Sequence, residues 1–188
     1  MPTQTDKRQK EFEKELMNFE NEIDAEVLLL KIITARYAAR RLAKESPVWQ
    51  GTYVKSHRVG LGSQDKSHEP IPLSLPGFLP PKASSAKAAK FKQRAVKTMH
   101  EKILNTKLGE KIVLSNSVPY ADQVEFLGWM KTSAHHTYGK TMLGIKTNAK
   151  RLSRLAASNM RKMGKRIKKR SDIGPVIKVI ARGIRESE

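Results

Sequence analysis

The sequence contains no cysteine, which excludes disulfide staples, thiolate catalysis and cysteine-ligated zinc. Aromatic residues make up only 6% of its 188 residues, too few for broad platforms on which bases could stack. No apolar run is long enough to span a membrane. The longest is Val27–Leu30, resuming at Ile32 and Ile33 after one lysine, against the roughly 20 residues a spanning helix needs. The N-terminal stretch is polar and charged, unlike a secretory signal. A soluble protein made in a cytoplasm, with no membrane partner, is the expectation.

Acidic residues are plentiful only at the front. Residues 1–48 carry nine acidic and nine basic side chains, whereas residues 140–170 carry twelve basic and no acidic ones. The formal net charge is +19. A neutral front joined to a cationic back draws polyanions, either nucleic acid or an acidic protein face.

Three segments are expected. Residues 1–48 read as a long N-terminal helix, because Phe12, Leu16, Phe19, Ile23, Val27, Leu30, Ile33 and Tyr37 recur at three- and four-residue steps. No glycine or proline interrupts residues 5–46, and Pro47 supplies a stop. The second half, Glu26–Ala39, is apolar on more than one side and predicts burial on two faces, the second against another subunit. Residues 49–170 form the main body. Thr52–Val54 and His57–Val59 suit a strand between Gly51 and Gly60, and Lys111–Ser115 suits a second. Helices are expected over 84–105, with Phe91, Ala95, Met99 and Ile103 as the apolar stripe, and from about Thr147 to Arg170, with Leu152, Leu155, Ala156, Met160 and Met163 inward. Tyr120–Leu127 suits a short helix or bent strand, and Gly128–Thr141 a polar loop. Between strand and helix lies 62–85, with five prolines. It reads either as an extended arm that packs on a neighbour through Ile71, Leu73, Leu75 and Phe78 or as a plain floppy insertion. Periodicity leaves 171–188 open between a strand and a docked helix. The whole predicts an α+β fold: a small antiparallel or mixed sheet flanked by a long N-terminal helix and a basic C-terminal helix, with a proline-rich arm.

Signs of catalysis are weak. His135 and His136 are adjacent, so on a strand they would point to opposite faces, and no nearby carboxylate completes a metal site. Asp122 and Glu125 could share a helical face, but nuclease or glycosidase chemistry needs support from other carboxylates. Gly60-Leu61-Gly62 lacks the rest of a phosphate-binding loop, and no serine elbow occurs. No enzyme activity, metal or cofactor is expected. The strongest physical signal is the basic helix. Lys150, Arg151, Arg154, Arg161, Lys162, Lys165, Arg166, Lys168, Lys169 and Arg170 form a surface for phosphates or an acidic partner. Base-specific readout is not indicated there.

One segment resembles a known family. Asn116-Ser117-Val118-Pro119-Tyr120-Ala121-Asp122-Gln123-Val124-Glu125-Phe126-Leu127-Gly128 is similar to the N-x-x-P-Y-A-x-x-V-E-x-G signature of the tailed-phage neck and tail-completion family. Ser46–Tyr53 is similar to the family's entry into its first strand, with Gln50 and Tyr53 departing from it. Leu127 is one residue more than the signature has before its glycine. The order of elements also matches. The resemblance implies a virion structural protein at the head–tail junction or tail end. It implies a homo-oligomeric ring, hexameric or higher, around the channel that double-stranded DNA crosses, with other connector and tail proteins as partners. Pro119, Tyr120, Val124, Glu125 and Gly128 are then the motif and interface residues. Pro119 would turn the chain out of the strand, and Glu125 would meet a basic group. A free basic nucleic-acid-binding protein of ribosomal or nucleoid type is the alternative.

Overall fold

The computed structural model describes residues 4–71, 82–128, 133–163 and 170–184. It is mainly helical with one two-stranded antiparallel sheet, which agrees with the expected α+β class in its coarse form. Helix α1 spans Gln4–Glu45. It stops where Pro47 disfavours helical geometry for Ser46, and Ser46 closes the end by donating its backbone N–H to the Leu42 carbonyl at 3.0 Å.

The chain divides into two compact units, one of Met1–Ile33, Lys107–Gly109 and Lys150–Glu188, the other of Thr34–Thr106 and Glu110–Ala149. In the first, the buried residues include Ala25, Leu28, Leu29, Ile32 and Ile33 of α1, Leu152, Ala156 and Met160 of α4 (Thr137–Met163), and Ile173, Ile177, Ile180 and Ala181 of α5 (Ile173–Gly183). The three-, four- and seven-residue steps in each set mark one inward helical face. Residues 171–188, left open by periodicity, therefore contain a helix. Pro175 fits within it because the first turn has no intrahelical partner for the missing N–H.

Of the stripe that the sequence singled out on α1, Ile33 is buried and Leu30 and Tyr37 are half-buried, but its N-terminal part is not the buried face. Phe12, Leu16, Phe19, Ile23 and Val27 remain 46–65% exposed, while the buried residues lie on the opposite side of the helix. Residues 5–20 are exposed throughout.

The second unit is built on an antiparallel strand pair. Strand β1 (His57–Leu61) runs antiparallel to β2 (Ile112–Asn116), with His57 opposite Asn116 and Leu61 opposite Ile112. Helix α3 (Ser85–Ile103) packs on β1 and on α2 (Thr52–Lys55). Ser84 caps α3 by accepting from the Lys87 N–H at 3.3 Å, and Ala95, Met99 and Ile103 are buried as the spacing predicted.

Two boundaries differ from the sequence expectation. Thr52–Val54 form a helical turn, not a strand. Gly51, at φ 86°, lets the chain enter it, and the Lys55 and Ser56 N–H groups bond back to Gly51 and Thr52. Burial of Tyr53 and Val54 outweighs their β propensity. Helix α4 begins at Thr137, ten residues before the expected Thr147, for a reason found in the site below. Among the described residues, no helix is long and apolar enough to cross a membrane.

Candidate functional site

Residues 116–128 and 133–138 form one clip. At the end of β2, Asn116 donates from its side-chain amide to the Tyr53 carbonyl at 2.9 Å, and its Oδ1 accepts from the Val118 N–H at 3.3 Å. Pro119 sits second in a turn closed by the Ala121 N–H on the Val118 carbonyl at 2.9 Å, the position where its fixed φ helps most. Val118 and Val124 are buried with Tyr53, and Tyr120 and Ala121 pack against them. Gln123–Leu127 then make a single π-helical turn, closed by the Gly128 N–H on the Gln123 carbonyl at 2.8 Å. Gly128 ends the turn at φ 81°, a conformation a side chain would strain.

That turn aims Glu125 inward. Its carboxylate is buried and accepts the Thr137 N–H at 2.7 Å on Oε2 and the Tyr138 N–H at 2.6 Å on Oε1. These are the first N–H groups of α4, which have no partner inside the helix. Glu125 thus caps α4 from twelve residues away, with its charge at the positive end of the helix dipole. Its partner is backbone, not the basic side chain the sequence suggested. The residues just before α4 are held as well: His135 and His136 donate their N–H groups to the Val124 and Glu125 carbonyls at 3.0 and 3.2 Å.

A second buried chain of hydrogen bonds lies beside the clip. His57 Nε2 is 2.6 Å from Ser46 Oγ, and its Nδ1 is 3.2 Å from the Tyr138 hydroxyl. Ser46 gives its own proton to the Leu42 carbonyl. Only one arrangement of protons then serves all three: Tyr138 donates to Nδ1, Nε2–H donates to Ser46, and Ser46 donates to Leu42. Burial, with the Arg58 charge adding to it, lowers the His57 pKa to about 3, so the ring is neutral near pH 7. Burial likewise pushes the Tyr53 phenol up to about 12 and raises Tyr138 further, with Tyr53 and Glu125 adding to the latter. Ser46 and His57 are spaced like a nucleophile and its base, but the serine proton is engaged by Leu42 and both residues are buried. The arrangement joins the end of α1, β1 and the start of α4.

On α4, Lys150, Arg151, Arg154 and Arg161 are exposed, on the side opposite Leu152, Ala156 and Met160. Lys162 lies in α4 without a described side chain, as does Arg170 in the short turn that follows. Lys165, Arg166, Lys168 and Lys169 lie outside the described residues. Of the arm residues, Ile71 is exposed, and Leu73, Leu75 and Phe78 also lie outside the described residues.

Both ends of the proline-rich segment are tied to the second unit. Asp65 accepts from Lys102 at 2.8 Å and from the Ser67 N–H and hydroxyl, contacts that hold its carboxyl well below the usual range. Ser115 donates to the Asp65 carbonyl at 2.9 Å, and Ser56 accepts the Glu69 N–H at 3.0 Å. At the other end the Ala83 N–H reaches the Trp49 carbonyl at 2.7 Å. A Cβ on Gly60 would run into the Ser63 carbonyl, so the arm's first residues lie directly on β1.

Sequence reasoning singled out Glu125, Tyr120 and Val124 but missed Ser46, His57, Thr137 and Tyr138. The only local hint was that buried polar residues need partners, which sequence spacing cannot supply. Among the described residues there is no cluster of three metal-ligating side chains. No family model matches the chain, and no curated protein or solved structure is significantly similar to it.

Proposed function

We propose that this chain is a non-enzymatic structural subunit of a tailed-phage virion, a ring-forming head–tail joining or tail-completion protein. The observation that carries this reading is the use made of the Asn116–Gly128 segment. Asn116, Pro119, Tyr120, Val124, Glu125 and Gly128, the residues that resemble the family signature, act together to fasten a strand end to a helix start.

The device suits a ring subunit, because it fixes the helix-bearing parts of each copy in one geometry that every copy must share. The cationic side of α4 supplies a sequence-tolerant surface for DNA phosphates in a channel or for an acidic neighbour. In this reading the proline-rich segment 62–85 is a contact to an adjoining subunit. The copy number is hexameric or higher by the resemblance, and the location is the virion.

The direct experiment is an amber mutation in the reading frame, followed by electron microscopy of the particles. Unjoined heads and tails are the expected result. Infectious, joined particles that lack the protein would sink the proposal. The basic row favours one other reading, a free nucleic-acid-binding protein. Tight, salt-dependent binding of DNA or RNA by a monomer that forms no closed ring under negative stain would establish it.

A further inference from the structure

The first turns of α4 are held in a helix that their own sequence disfavours. Residues 137–146 contain two glycines, two threonines, a tyrosine and an isoleucine, all weak helix formers. Residues 148–163 are instead rich in alanine, leucine, lysine and arginine, which propagate a helix well.

Burial does not make up the difference. Met142 and Leu143 are 55% and 65% exposed. The inward side includes Thr137 and Thr141, whose hydroxyls are buried with no hydrogen-bond partner among the described residues. The Tyr53 hydroxyl, buried beside Thr137 and Glu125, makes no well-formed bond either. Buried hydroxyls left unpaired favour any state in which water reaches them. The entry to the helix is strained as well. His136 is the only non-glycine residue at positive φ among the described residues, at 48°, a region that most side chains avoid. The turn before it, Gln123–Leu127, is π-helical, a rare geometry.

A small set of bonds stands against these costs. Glu125 accepts the Thr137 and Tyr138 N–H groups, and the Tyr138 hydroxyl lies 3.2 Å from His57 Nδ1. The His135 and His136 N–H groups bond to the Val124 and Glu125 carbonyls. All of these contacts fall at residues 135–138, so they engage or release together.

We infer that residues 137–146 form a latch, a helical segment that opens and closes as a unit on the Glu125 carboxylate while the rest of the molecule stays folded. The closed form is the long α4 seen here. In the open form α4 begins near Thr147, where its sequence alone would start it. Opening hydrates the three hydroxyls and relaxes His136, at the loss of the Glu125 bonds. A contact that prefers either form shifts the balance between them. Assembly with another molecule can thereby set the length of α4. The latch is independent of the ring reading.

The test is hydrogen exchange of the full chain near pH 7, read residue by residue by NMR. Amides of residues 140–146 are expected to share one protection factor, about tenfold or more below those of residues 95–103 and 152–160. Glu125→Gln leaves a neutral acceptor in place. It is expected to speed exchange in 140–146 by about tenfold and to leave the other two segments unchanged. Thr137→Val/Thr141→Val removes two hydroxyls at nearly constant shape and is expected to slow exchange there by about tenfold. That direction separates the latch from damage to the fold, which only speeds exchange. Protection in 140–146 equal to that of 95–103 overturns the latch. Protection that rises smoothly from Lys140 to Lys146 is ordinary fraying of a helix end and also overturns it. Valine substitutions that speed exchange or leave it unchanged overturn it as well, because the hydroxyls then do not favour opening.

Discussion

At the scale of single residues, Glu125 matters most. Its carboxylate satisfies two buried N–H groups that nothing else in the helix can reach. Replacing it with alanine strands both donors and removes a charge from the positive end of α4. Glu125→Ala should cost about 3 kcal/mol in urea unfolding, with glutamine recovering part of the loss. A loss below about 0.5 kcal/mol would show that the cap is not stabilising. His57 gives a second prediction. Its folded pKa lies near 3 against an ordinary 6.5, so between those values the unfolded chain binds the extra proton. Stability should therefore be full above pH 6.5 and fall as the pH drops toward 3, by about 2 kcal/mol from pH 6.5 to 5 for this residue. His100, lowered to about 4 chiefly by burial, adds a drop of the same sign. Chemical denaturation of His57→Gln at pH 7 and pH 5 should show a smaller difference than the parent protein. Equal differences would mean that His57 is not the group that titrates.

At the scale of elements, α1 has two apolar faces with different fates. The face containing Leu28, Leu29 and Ile32 is buried, and the stripe from Phe12 to Val27 is open. Residues 5–20 bury nothing, so deleting residues 1–20 should change unfolding stability by no more than about 0.5 kcal/mol. A large loss of cooperativity or stability on deletion would mean that the segment is packed in solution. The arm depends on β1 in a way that a glycine reveals. Gly60→Ala pushes a methyl group into the Ser63 carbonyl and should lift the Asp65–Glu69 contacts from the sheet. Limited proteolysis should then cut faster within 62–85, with the remaining fragments still folded. Unchanged cleavage would mean that the arm does not rely on this contact. The early start of α4 also belongs to this scale. Gly139 and Gly144 weaken helix propensity over 137–146, and the helix extends through them because Glu125 caps it from a distant turn.

At the scale of the whole molecule, charge is unevenly distributed. The acidic stretch is confined to exposed α1, and the basic excess lies on α3 and α4. Lys150, Arg154 and Arg161 share one exposed side of α4 over eleven residues, about 16 Å of helix. If that side meets DNA phosphates, Lys150→Glu/Arg154→Glu/Arg161→Glu should weaken duplex binding for every sequence alike. The slope of log K against log salt should fall by roughly three in magnitude. Unchanged affinity in filter binding would point to an acidic protein as the partner of this surface.

The sequence alone determined the class of the molecule. The extent of α1 and the position of α3 follow from apolar spacing, from the absence of glycine and proline, and from the cap at Ser84, all of which act within a few residues. The cationic character of the back half and the absence of cysteine chemistry are likewise properties of composition. The tertiary structure alone decided which apolar face of α1 is buried, since two opposite stripes compete and periodicity cannot rank them. It also decided that Thr52–Val54 coil into a helical turn, that 173–183 is a helix, and that α4 begins at Thr137. Above all it decided the partner of Glu125. That carboxylate was conspicuous in the sequence, but its role depends on two N–H groups twelve and thirteen residues away. Only a folded backbone places those donors within hydrogen-bond reach.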